Sequence, residues 1–198
     1  MLRIGLTGGI GSGKSTISDI FHSIYHIPII DADEISRFLL SPNQSAFKEV
    51  VNVFGDDVVM STGEIDRKWL REKIFNHKDL KQQLEHIIHP KVRDEISKQV
   101  STVQTSYCLI VIPLLVESNM QSTVDRILVV DTNQDNQIQR VTSRDNCAPE
   151  HVLSIIDSQI DANKRLESAD DVITNNGNIQ ELHHQVEHLH EKYLDLSI

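Results

Sequence analysis

The feature that most constrains this chain is a glycine-rich turn close to its start. Residues 8–15 read Gly-Gly-Ile-Gly-Ser-Gly-Lys-Ser and fit the phosphate-binding pattern of Gly, four residues, Gly, Lys and then Ser or Thr. A short apolar run precedes the turn, and a helix-like segment over residues 17–25 follows it. Glycines let the backbone wrap closely around a phosphate, with its N–H groups and a helix N-terminus pointing at the anion. The strand, the helix and the Lys-Ser pair argue against a plain flexible turn, so the pattern predicts a site for the phosphates of a nucleoside triphosphate.

The side chains at the end of this turn have distinct predicted roles. Lys14 adds a mobile positive charge for the outer phosphates, and the Ser15 hydroxyl is a predicted ligand of Mg²⁺. A magnesium ion bound together with ATP is therefore the expected cofactor. The residues of the turn that we predict to bind ATP are Gly9, Ile10, Gly11, Ser12, Gly13, Lys14, Ser15 and Thr16.

The composition is that of an ordinary soluble protein with an acidic balance. The 198 residues carry a formal net charge of −10, which disfavours a large nucleic-acid surface, so any positive site must be local. No run of about eighteen apolar residues occurs, and nothing is predicted to span a membrane. The first residues already read as a core strand, which leaves no room for a signal peptide, and we expect a cytoplasmic protein. The two cysteines, Cys108 and Cys147, are predicted to be reduced thiols.

Five short apolar segments, separated by helical ones, determine the predicted fold class. Nearly continuous hydrophobicity is typical of parallel strands that are buried on both faces. The sequence therefore predicts an α/β protein of three layers, α/β/α, with a five-stranded parallel sheet and the P-loop NTPase fold. Ligands of such a sheet bind beyond the carboxyl ends of its strands. The predicted strands are residues 2–7, 27–30, 107–112, 126–130 and 171–174.

A run of consecutive helices without strands is predicted in the middle of the chain. We interpret residues from about 56 to 104 as an inserted helical lobe for a second substrate, between core segments 1–55 and 105–198. A plain scaffold crossover explains the same helices equally well. The predicted helices of the whole chain are residues 17–25, 34–40, 44–54, 67–75, 78–88, a helix that begins at Pro90, 134–144, 150–164 and a last helix with apolar residues at 179, 182, 186, 189 and 193.

The absence of certain motifs narrows the classes of nucleotide-binding protein that fit the sequence. A guanine-nucleotide switch would carry Asp-x-x-Gly and Asn-Lys-x-Asp, and neither occurs. Many ATPases end an apolar strand in Asp-Glu, whereas the strongest apolar strand here ends at Pro113. These absences favour transfer of a phosphoryl group to a bound acceptor over hydrolysis.

Two carboxylates support transfer. Asp31 and Asp33 follow the second predicted strand, where a carboxylate can accept the proton of an attacking hydroxyl. Capping of the next helix by Asp33 is an equally open interpretation.

Two arginines also support phosphoryl transfer to an acceptor. Arg140 and Arg144 are four residues apart on one helix face, within a predicted lid over about 134–150, and paired guanidinium groups can neutralise a phosphoryl group. A solvated helix face on which Arg144 bridges Asp145 is the alternative.

Together these motifs resemble those of the dephospho-coenzyme A kinase family, through nearly the whole length of the chain. Asp-Ala-Asp, Pro-Leu-Leu-x-Glu and Ala-Asp-Asp-Val-Ile, in this order, are the most specific of them. The residues that carry the resemblance are 5–15, 31–33 with Ile35 and Arg37, His89 and Pro90, 113–117, 140–145, Gln159 and 169–175.

The resemblance implies transfer of the γ-phosphoryl group of ATP to the ribose 3′-hydroxyl of dephospho-coenzyme A. It implies a nucleoside-monophosphate-kinase-like core with a helical substrate lobe, a lid that carries Arg140 and Arg144, and a helix junction at His89 and Pro90. By similarity Asp33 is the general base, acting with Lys14 and the two arginines, and Asn175 lies near the adenine. The residues implied as acceptor contacts are Asp33, Arg37, His89, Pro113, Leu114, Leu115 and Glu117.

Two rival functions stay open at this point. A nucleoside or nucleoside-monophosphate kinase uses the same core, and a regulatory switch would bind ATP without transferring anything. The expected partners are ATP and dephospho-coenzyme A, with neither nucleic acid nor membrane. A monomer and a homo-oligomer are equally compatible with the sequence.

Overall fold

The computed structural model describes residues 1–197, and of residues 75 and 76 it describes the backbone alone. The strands are β1 (Leu2–Gly8), β2 (Ile29–Asp31), β3 (Tyr107–Val111), β4 (Arg126–Asp131) and β5 (Asp171–Thr174). The helices are α1 (Lys14–Tyr25), α2 (Ala32–Leu39), α3 (Phe47–Phe54), α4 (Arg67–Asn76), α5 (Lys78–Thr102), α6 (Gln134–Asp145), α7 (Pro149–Ser158), α8 (Ala162–Glu167) and α9 (Ile179–Leu196), with 3₁₀ turns at Asp56–Val58 and Gln121–Thr123. No helix among these described residues is both long and apolar enough to cross a membrane.

The five strands form one parallel sheet in the order β2-β3-β1-β4-β5. β1 lies at the centre, where Leu6 is opposite Val111 of β3 on one side and Leu128 of β4 on the other. All three side chains are buried, as expected for strands that are covered on both faces. The predicted fold class, a three-layer α/β protein with a five-stranded parallel sheet, is confirmed.

The chain divides into two compact units. The first contains Met1–Asp31 and the chain from Val103 onwards, and therefore holds the whole sheet. The second is Ala32–Thr102 and contains α2 to α5. The helical unit starts directly at the end of β2, whereas the sequence predicts a lobe from about residue 56.

Aromatic rings form the centre of the core in the first unit. Phe21 of α1 and Tyr193 of α9 are stacked, with ring centroids 6.4 Å apart. Tyr107 of β3 meets the edges of both rings. These contacts join the sheet to the helices that cover one of its faces.

The apolar stripe predicted for the last helix is confirmed over most of its length. Its buried members are Leu182, Val186, Leu189 and Tyr193. The prediction is wrong at Ile179, which is 51% exposed because α9 begins at this residue and its packed face starts one turn later.

The second unit contains one long helix where the sequence predicts two. α5 continues through Pro90, so the predicted helix junction at His89 and Pro90 is wrong. Proline in a helix interior costs about 3 kcal/mol, because it removes a hydrogen bond and crowds the preceding turn. Full burial of an aliphatic side chain contributes about 1.5–3 kcal/mol, so four of them offset that cost. The buried side chains at four-residue spacing on both sides of the proline are Leu84, Ile88, Val92 and Ile96.

A buried carboxylate joins β4, β5 and α9. The side chain of Asp171, 3% exposed, accepts hydrogen bonds from Arg126 Nε at 3.0 Å, Lys192 Nζ at 2.5 Å and the Tyr193 hydroxyl at 3.2 Å. Burial alone would raise the pKa of Asp171, but the hydrogen bonds from Arg126 and Lys192 hold it below its ordinary value. The folded state therefore favours the ionised carboxylate.

Replacing this carboxylate tests its contribution to stability. Asp171→Asn should lower the free energy of unfolding at pH 7 by about 3 kcal/mol, the lower end for a broken buried ion pair, because both cations keep partial access to water. A carboxyl group whose folded pKa is depressed stabilises the protein above its unfolded pKa of about 3.9, and this contribution is lost as the pH falls through the folded pKa. Denaturant titrations at pH 7 and below pH 4 measure this. The free energies of unfolding of the wild-type and Asp171→Asn proteins should differ more at pH 7 than at the lower pH.

The control for this substitution is Asp125→Asn. Asp125 pairs with Arg3 at 2.6 Å, and both side chains are about one-third exposed. Loss of such an exposed pair costs less than about 1 kcal/mol. An Asp171→Asn protein as stable as the Asp125→Asn protein would contradict the structural role of Asp171.

Candidate active site

The phosphate loop connects the end of β1 to the start of α1. Gly11 and Gly13 have φ angles of 68° and 98°, in the left-handed region that glycine adopts without strain. Gly13 directly precedes α1, so the unpaired N–H groups of the helix N-terminus open onto the loop. A side chain at Gly13 would collide with the amide of Asn175. The loop therefore has the conformation that lets successive N–H groups surround an anion.

The Lys14 side chain folds back over the loop that precedes it. Its ammonium group donates to the carbonyl oxygens of Gly8 and Gly9, at 2.8 and 3.0 Å. The side chain is half-buried. Its charge is held at the loop by contacts that a phosphate oxygen can replace.

Asn175, the first residue beyond β5, is buried and joins the sheet edge to the loop. Its Nδ2 donates to the carbonyl of Ser12 at 2.7 Å, and its backbone N–H donates to the carbonyl of Asp131 at 2.7 Å. Its own carbonyl accepts from Arg140 at 3.0 Å. Asn175 thus holds the loop in place, and its position near an adenine stays a prediction.

The two arginines of α6 differ in what they contact. Arg140 is half-buried and donates to the carbonyls of Gly11 and Ser12, at 3.3 and 3.4 Å. The Arg144 side chain is 64% exposed and forms two hydrogen bonds with Asp145, at 2.7 and 2.8 Å. The hydrogen bond from Arg144 lowers the pKa of Asp145, so the pair is ionic. Arg140 therefore lies on the loop, whereas Arg144 has the contact that the alternative interpretation of this helix predicts.

The turn that follows β3, residues 113–117, is anchored to β1. The carbonyl of Pro113 accepts a hydrogen bond from the Thr7 hydroxyl at 3.1 Å. Leu114 is 46% exposed, whereas Leu115 is completely buried beside the position where Gly5 lacks a side chain. The Leu115 side chain is thus part of the core, and its predicted contact with the acceptor stays a prediction for its backbone groups alone.

Glu117, at the end of this turn, reaches the segment between α7 and α8. Its Oε1 accepts from the Ile160 N–H at 3.2 Å and lies 3.5 Å from Nη2 of Arg165, which is buried. The same Arg165 nitrogen donates to the Ile160 carbonyl at 3.1 Å. Both polar groups of Ile160 are therefore bound to charged side chains.

The sequence predicts an unbroken helix over residues 150–164, and this prediction is wrong. α7 ends at Ser158, and Asp161 caps a separate helix, α8. An aspartate is a common N-cap residue, so Asp161 was the available signal for the break. The break leaves Gln159 in an extended conformation between the two helices.

Two glutamines that are not among the predicted site residues contact the tip of the loop. Gln159 Oε1 accepts from the Ile10 N–H at 3.0 Å. Gln137 Nε2 donates to the Ile10 carbonyl at 2.7 Å. The sequence offered one signal for each: Gln159 is among the residues that carry the family resemblance, and Gln137 lies three residues before Arg140 on the same helix face.

Three predicted site residues lie in the second unit. Asp33 is exposed in the first turn of α2, where the helix dipole favours a negative charge. Arg37 is exposed on the same helix, and its carbonyl accepts from Arg67 at 3.0 Å. His89 lies inside α5, and burial lowers its pKa, which favours the neutral ring.

The donors at the loop fit a magnesium ion that is held mainly by phosphate oxygens. Ser15 is exposed in the first turn of α1 and offers a hydroxyl oxygen, the hard ligand that Mg²⁺ prefers. Among the side chains that the structure describes, no three His, Cys, Asp or Glu residues form a group able to hold a metal ion. A magnesium ion at Ser15 therefore fits as the companion of a nucleotide.

Comparison with known proteins identifies the family. The model of the dephospho-CoA kinase family matches residues 2–181, a range that includes the phosphate loop, Asp33, both arginines of α6 and Asn175. The chain belongs to the dephospho-CoA kinase family.

Individual similar proteins cover almost the whole chain. A dephospho-CoA kinase from Photobacterium profundum is 45% identical over 194 residues, which are 98% of this chain and 96% of that protein. The solved structure of a dephospho-CoA kinase from Campylobacter jejuni is 27% identical with a TM-score of 0.72, and covers 99% of this chain and 98% of its own. The structure of TT1252 from Thermus thermophilus is 26% identical with a TM-score of 0.85, and covers 96% of this chain and 97% of its own. Sequence and fold are thus similar from end to end.

The different contacts of the two arginines predict different effects of alanine. Arg140→Ala should lower turnover with ATP roughly tenfold or more and the free energy of unfolding by about 1–2 kcal/mol, because loop carbonyls lose charged donors. Arg144→Ala should lower turnover by a similar factor if the lid closes on a phosphoryl group, but leave the melting temperature unchanged. Steady-state kinetics and thermal melts of both variants measure this. Wild-type turnover in Arg144→Ala would mean that this end of α6 is a solvated surface only.

Proposed function

We propose that this protein transfers the γ-phosphoryl group of ATP to the ribose 3′-hydroxyl of dephospho-coenzyme A, giving coenzyme A and ADP. This reaction is the last step of coenzyme A biosynthesis, and we place it in the cytoplasm. The observation that carries the proposal is the match of the dephospho-CoA kinase family model over residues 2–181. The contacts around the phosphate loop support it, since they prepare the loop for a triphosphate.

The first part of the proposed mechanism is binding of the triphosphate. The N–H groups of the loop and of the α1 N-terminus surround the phosphates, while Lys14 exchanges the Gly8 and Gly9 carbonyls for phosphate oxygens. A magnesium ion bound with the nucleotide and held by the Ser15 hydroxyl would neutralise charge on the outer phosphates. Arg140, already at the loop, adds a second positive charge beside the transferring group.

The second part is activation of the acceptor. Asp33 takes the proton of the 3′-hydroxyl as that oxygen attacks the γ-phosphorus in line with the departing ADP oxygen. Its carboxylate is exposed and follows the end of β2 by two residues in the chain. Ligands of α/β proteins bind beyond such strand ends, which supports this role. Arg37, His89, Pro113, Leu114 and Glu117 are the further residues that we propose for the acceptor side.

An acceptor assay tests the proposed reaction. Purified protein with Mg-ATP is offered dephospho-coenzyme A, then AMP, CMP and nucleosides, and each product is identified by its mass. We expect ADP and coenzyme A in equal amounts, with the other acceptors inert. Turnover with a nucleotide or nucleoside alone would replace the proposal by the rival kinase. Tight ATP binding without acceptor-dependent ADP would replace it by a regulatory switch.

Asp33→Asn isolates proton acceptance from positioning. The amide keeps the size and the hydrogen-bonding capacity of the carboxylate but not its basicity, so turnover should fall by about 10²–10⁴-fold, the usual scale for a general base. The dissociation constant for ATP should stay near the wild-type value, because the triphosphate is bound by the loop. Single-turnover kinetics and calorimetric titration with ATP measure the two quantities.

The matched control is Glu34→Gln. Glu34 is also an exposed acid in the first turn of α2, so its loss has the same effect on the helix dipole. The control should keep wild-type turnover. An Asp33→Asn protein within about threefold of the control would remove Asp33 from the mechanism, and Asp31→Asn would then be the variant to measure.

A further inference from the structure

The peptide groups at the tip of the phosphate loop are bound from two directions. The Ile10 N–H donates to Gln159, and the Ile10 carbonyl accepts from Gln137, at 3.0 and 2.7 Å. These are the only side-chain hydrogen bonds of Ile10 among the described residues, and they use one donor and one acceptor. The peptide groups that flank Ile10 therefore have no freedom to rotate without losing a hydrogen bond.

Gly9, the residue before Ile10, leaves space for the hydrogen bond between Gln137 and Ile10. A side chain at Gly9 would lie 2.5 Å from Gln137 Nε2, 3.3 Å from an Arg165 nitrogen and 3.6 Å from Gln159 Oε1. A contact of 2.5 Å is shorter than real side chains tolerate, so a side chain here would displace the Gln137 amide, whereas 3.6 Å from Gln159 is an ordinary contact. Glycine at position 9 therefore lets the Gln137 amide approach the loop this closely.

Gln137 belongs to the helix that also carries Arg140. Residues three apart lie on one helix face, so Gln137 and Arg140 reach the loop together, at Ile10 and at Gly11 with Ser12. Val141, on the same face, is buried and meets the open side of Gly11. The orientation of Gln137 is therefore fixed by the packing of α6 on the loop.

Gln159 is held by the break between α7 and α8. The next residue, Ile160, has its N–H bound by Glu117 and its carbonyl bound by Arg165. The Gln159 N–H donates to the Ile156 carbonyl at 3.1 Å. These hydrogen bonds fix the backbone of Gln159, and its side chain accepts the hydrogen bond from the Ile10 N–H.

We propose that Gln137 and Gln159 are positioning residues, which hold the tip of the phosphate loop through the Ile10 peptide groups in the shape that receives the phosphates of ATP. Neither side chain has to touch the nucleotide for this role. A glycine-rich loop loses more conformational freedom on ordering than any other segment, so a loop held in advance binds its anion at lower entropic cost. The kinetic part of its test rests on the proposed kinase function, because KM values require turnover. The binding part does not, since ATP binding can be measured without an acceptor.

Methionine substitutions test the two contacts. Gln137→Met and Gln159→Met keep the length of the side chain and remove the amide. We expect each to raise the dissociation constant of Mg-ATP, measured by calorimetry without acceptor, about three- to tenfold, the factor for loss of one neutral hydrogen bond. The KM for ATP should rise in parallel, while the KM for dephospho-coenzyme A and the melting temperature stay near wild type. The control is Gln139→Met, on an exposed position of the same helix, which should equal wild type.

The double variant distinguishes a shared role from two separate ones. Because both amides hold the peptide groups of one residue, Gln137→Met with Gln159→Met should weaken ATP binding by less than the product of the two single effects. Single variants within about twofold of wild type, or a double variant that reaches the full product, would overturn the proposal. So would equal weakening of both substrates with a lower melting temperature, which is the result of a general structural role. A wild-type protein that binds ATP but produces no coenzyme A would refute the proposed function and leave the binding test intact.

Discussion

The candidate site depends on how the carbonyl groups of the phosphate loop are satisfied. The five successive carbonyls from Gly8 to Ser12 each accept a hydrogen bond from a side chain. The donors are Lys14 for the first two, Gln137 for the third, Arg140 for the fourth and fifth, and Asn175 again for the fifth. Buried or half-buried carbonyls need such partners, and these hydrogen bonds hold the loop carbonyls without using the N–H groups of the α1 N-terminus.

This arrangement requires the sheet order that the structure has. β1 lies between β3 and β4, so the loop that follows it is flanked by the turn after β3 and by α6, which follows β4. β5 lies next to β4, and Asn175 at its end is one residue beyond the strand. Since all five strands are parallel, each of these segments leaves the same edge of the sheet. The topology thus brings three of the four donors, Gln137, Arg140 and Asn175, from distant parts of the chain to one loop.

The local charge of the site follows from the same contacts. The protein carries a net charge of −10, which opposes the binding of a triphosphate at long range. Lys14 and Arg140 are both at the loop, and both donate hydrogen bonds to neutral carbonyls there. A phosphate oxygen can take the place of such a carbonyl acceptor. Arg144, by contrast, has to leave Asp145 before it can act on a phosphate.

Local patterns predicted the strands and the phosphate loop well, and long-range contacts account for what they missed. Asp66, directly before the predicted helix 67–75, caps α4 through the N–H groups of Lys68 and Trp69, a common role for aspartate. The helix break at Gln159 depends on Glu117, and the continuous helix through Pro90 depends on burial within the second unit. Gln137 and Gln159 are separated from Ile10 by 127 and 149 residues. Local periodicity and spacing cannot predict contacts between residues so far apart in the sequence. The burial of Leu115 likewise depends on the absence of a side chain at Gly5 on another strand.

The use of neutral amides at the loop tip has a physical reason in the chemistry of the ligand. A carboxylate at position 159 could accept from the Ile10 N–H as well as Gln159 does, but it would place a negative charge beside the phosphates. A lysine at position 137 could also donate to the Ile10 carbonyl. Its ammonium group, however, would bind a phosphate oxygen more strongly than a neutral carbonyl, and the loop tip would then be released when the nucleotide binds. An amide offers a donor or an acceptor without net charge, so its attraction to a phosphate does not compete strongly with its hold on the backbone. The charged groups Lys14 and Arg140 can therefore move to the phosphates while Gln137 and Gln159 keep the tip in place.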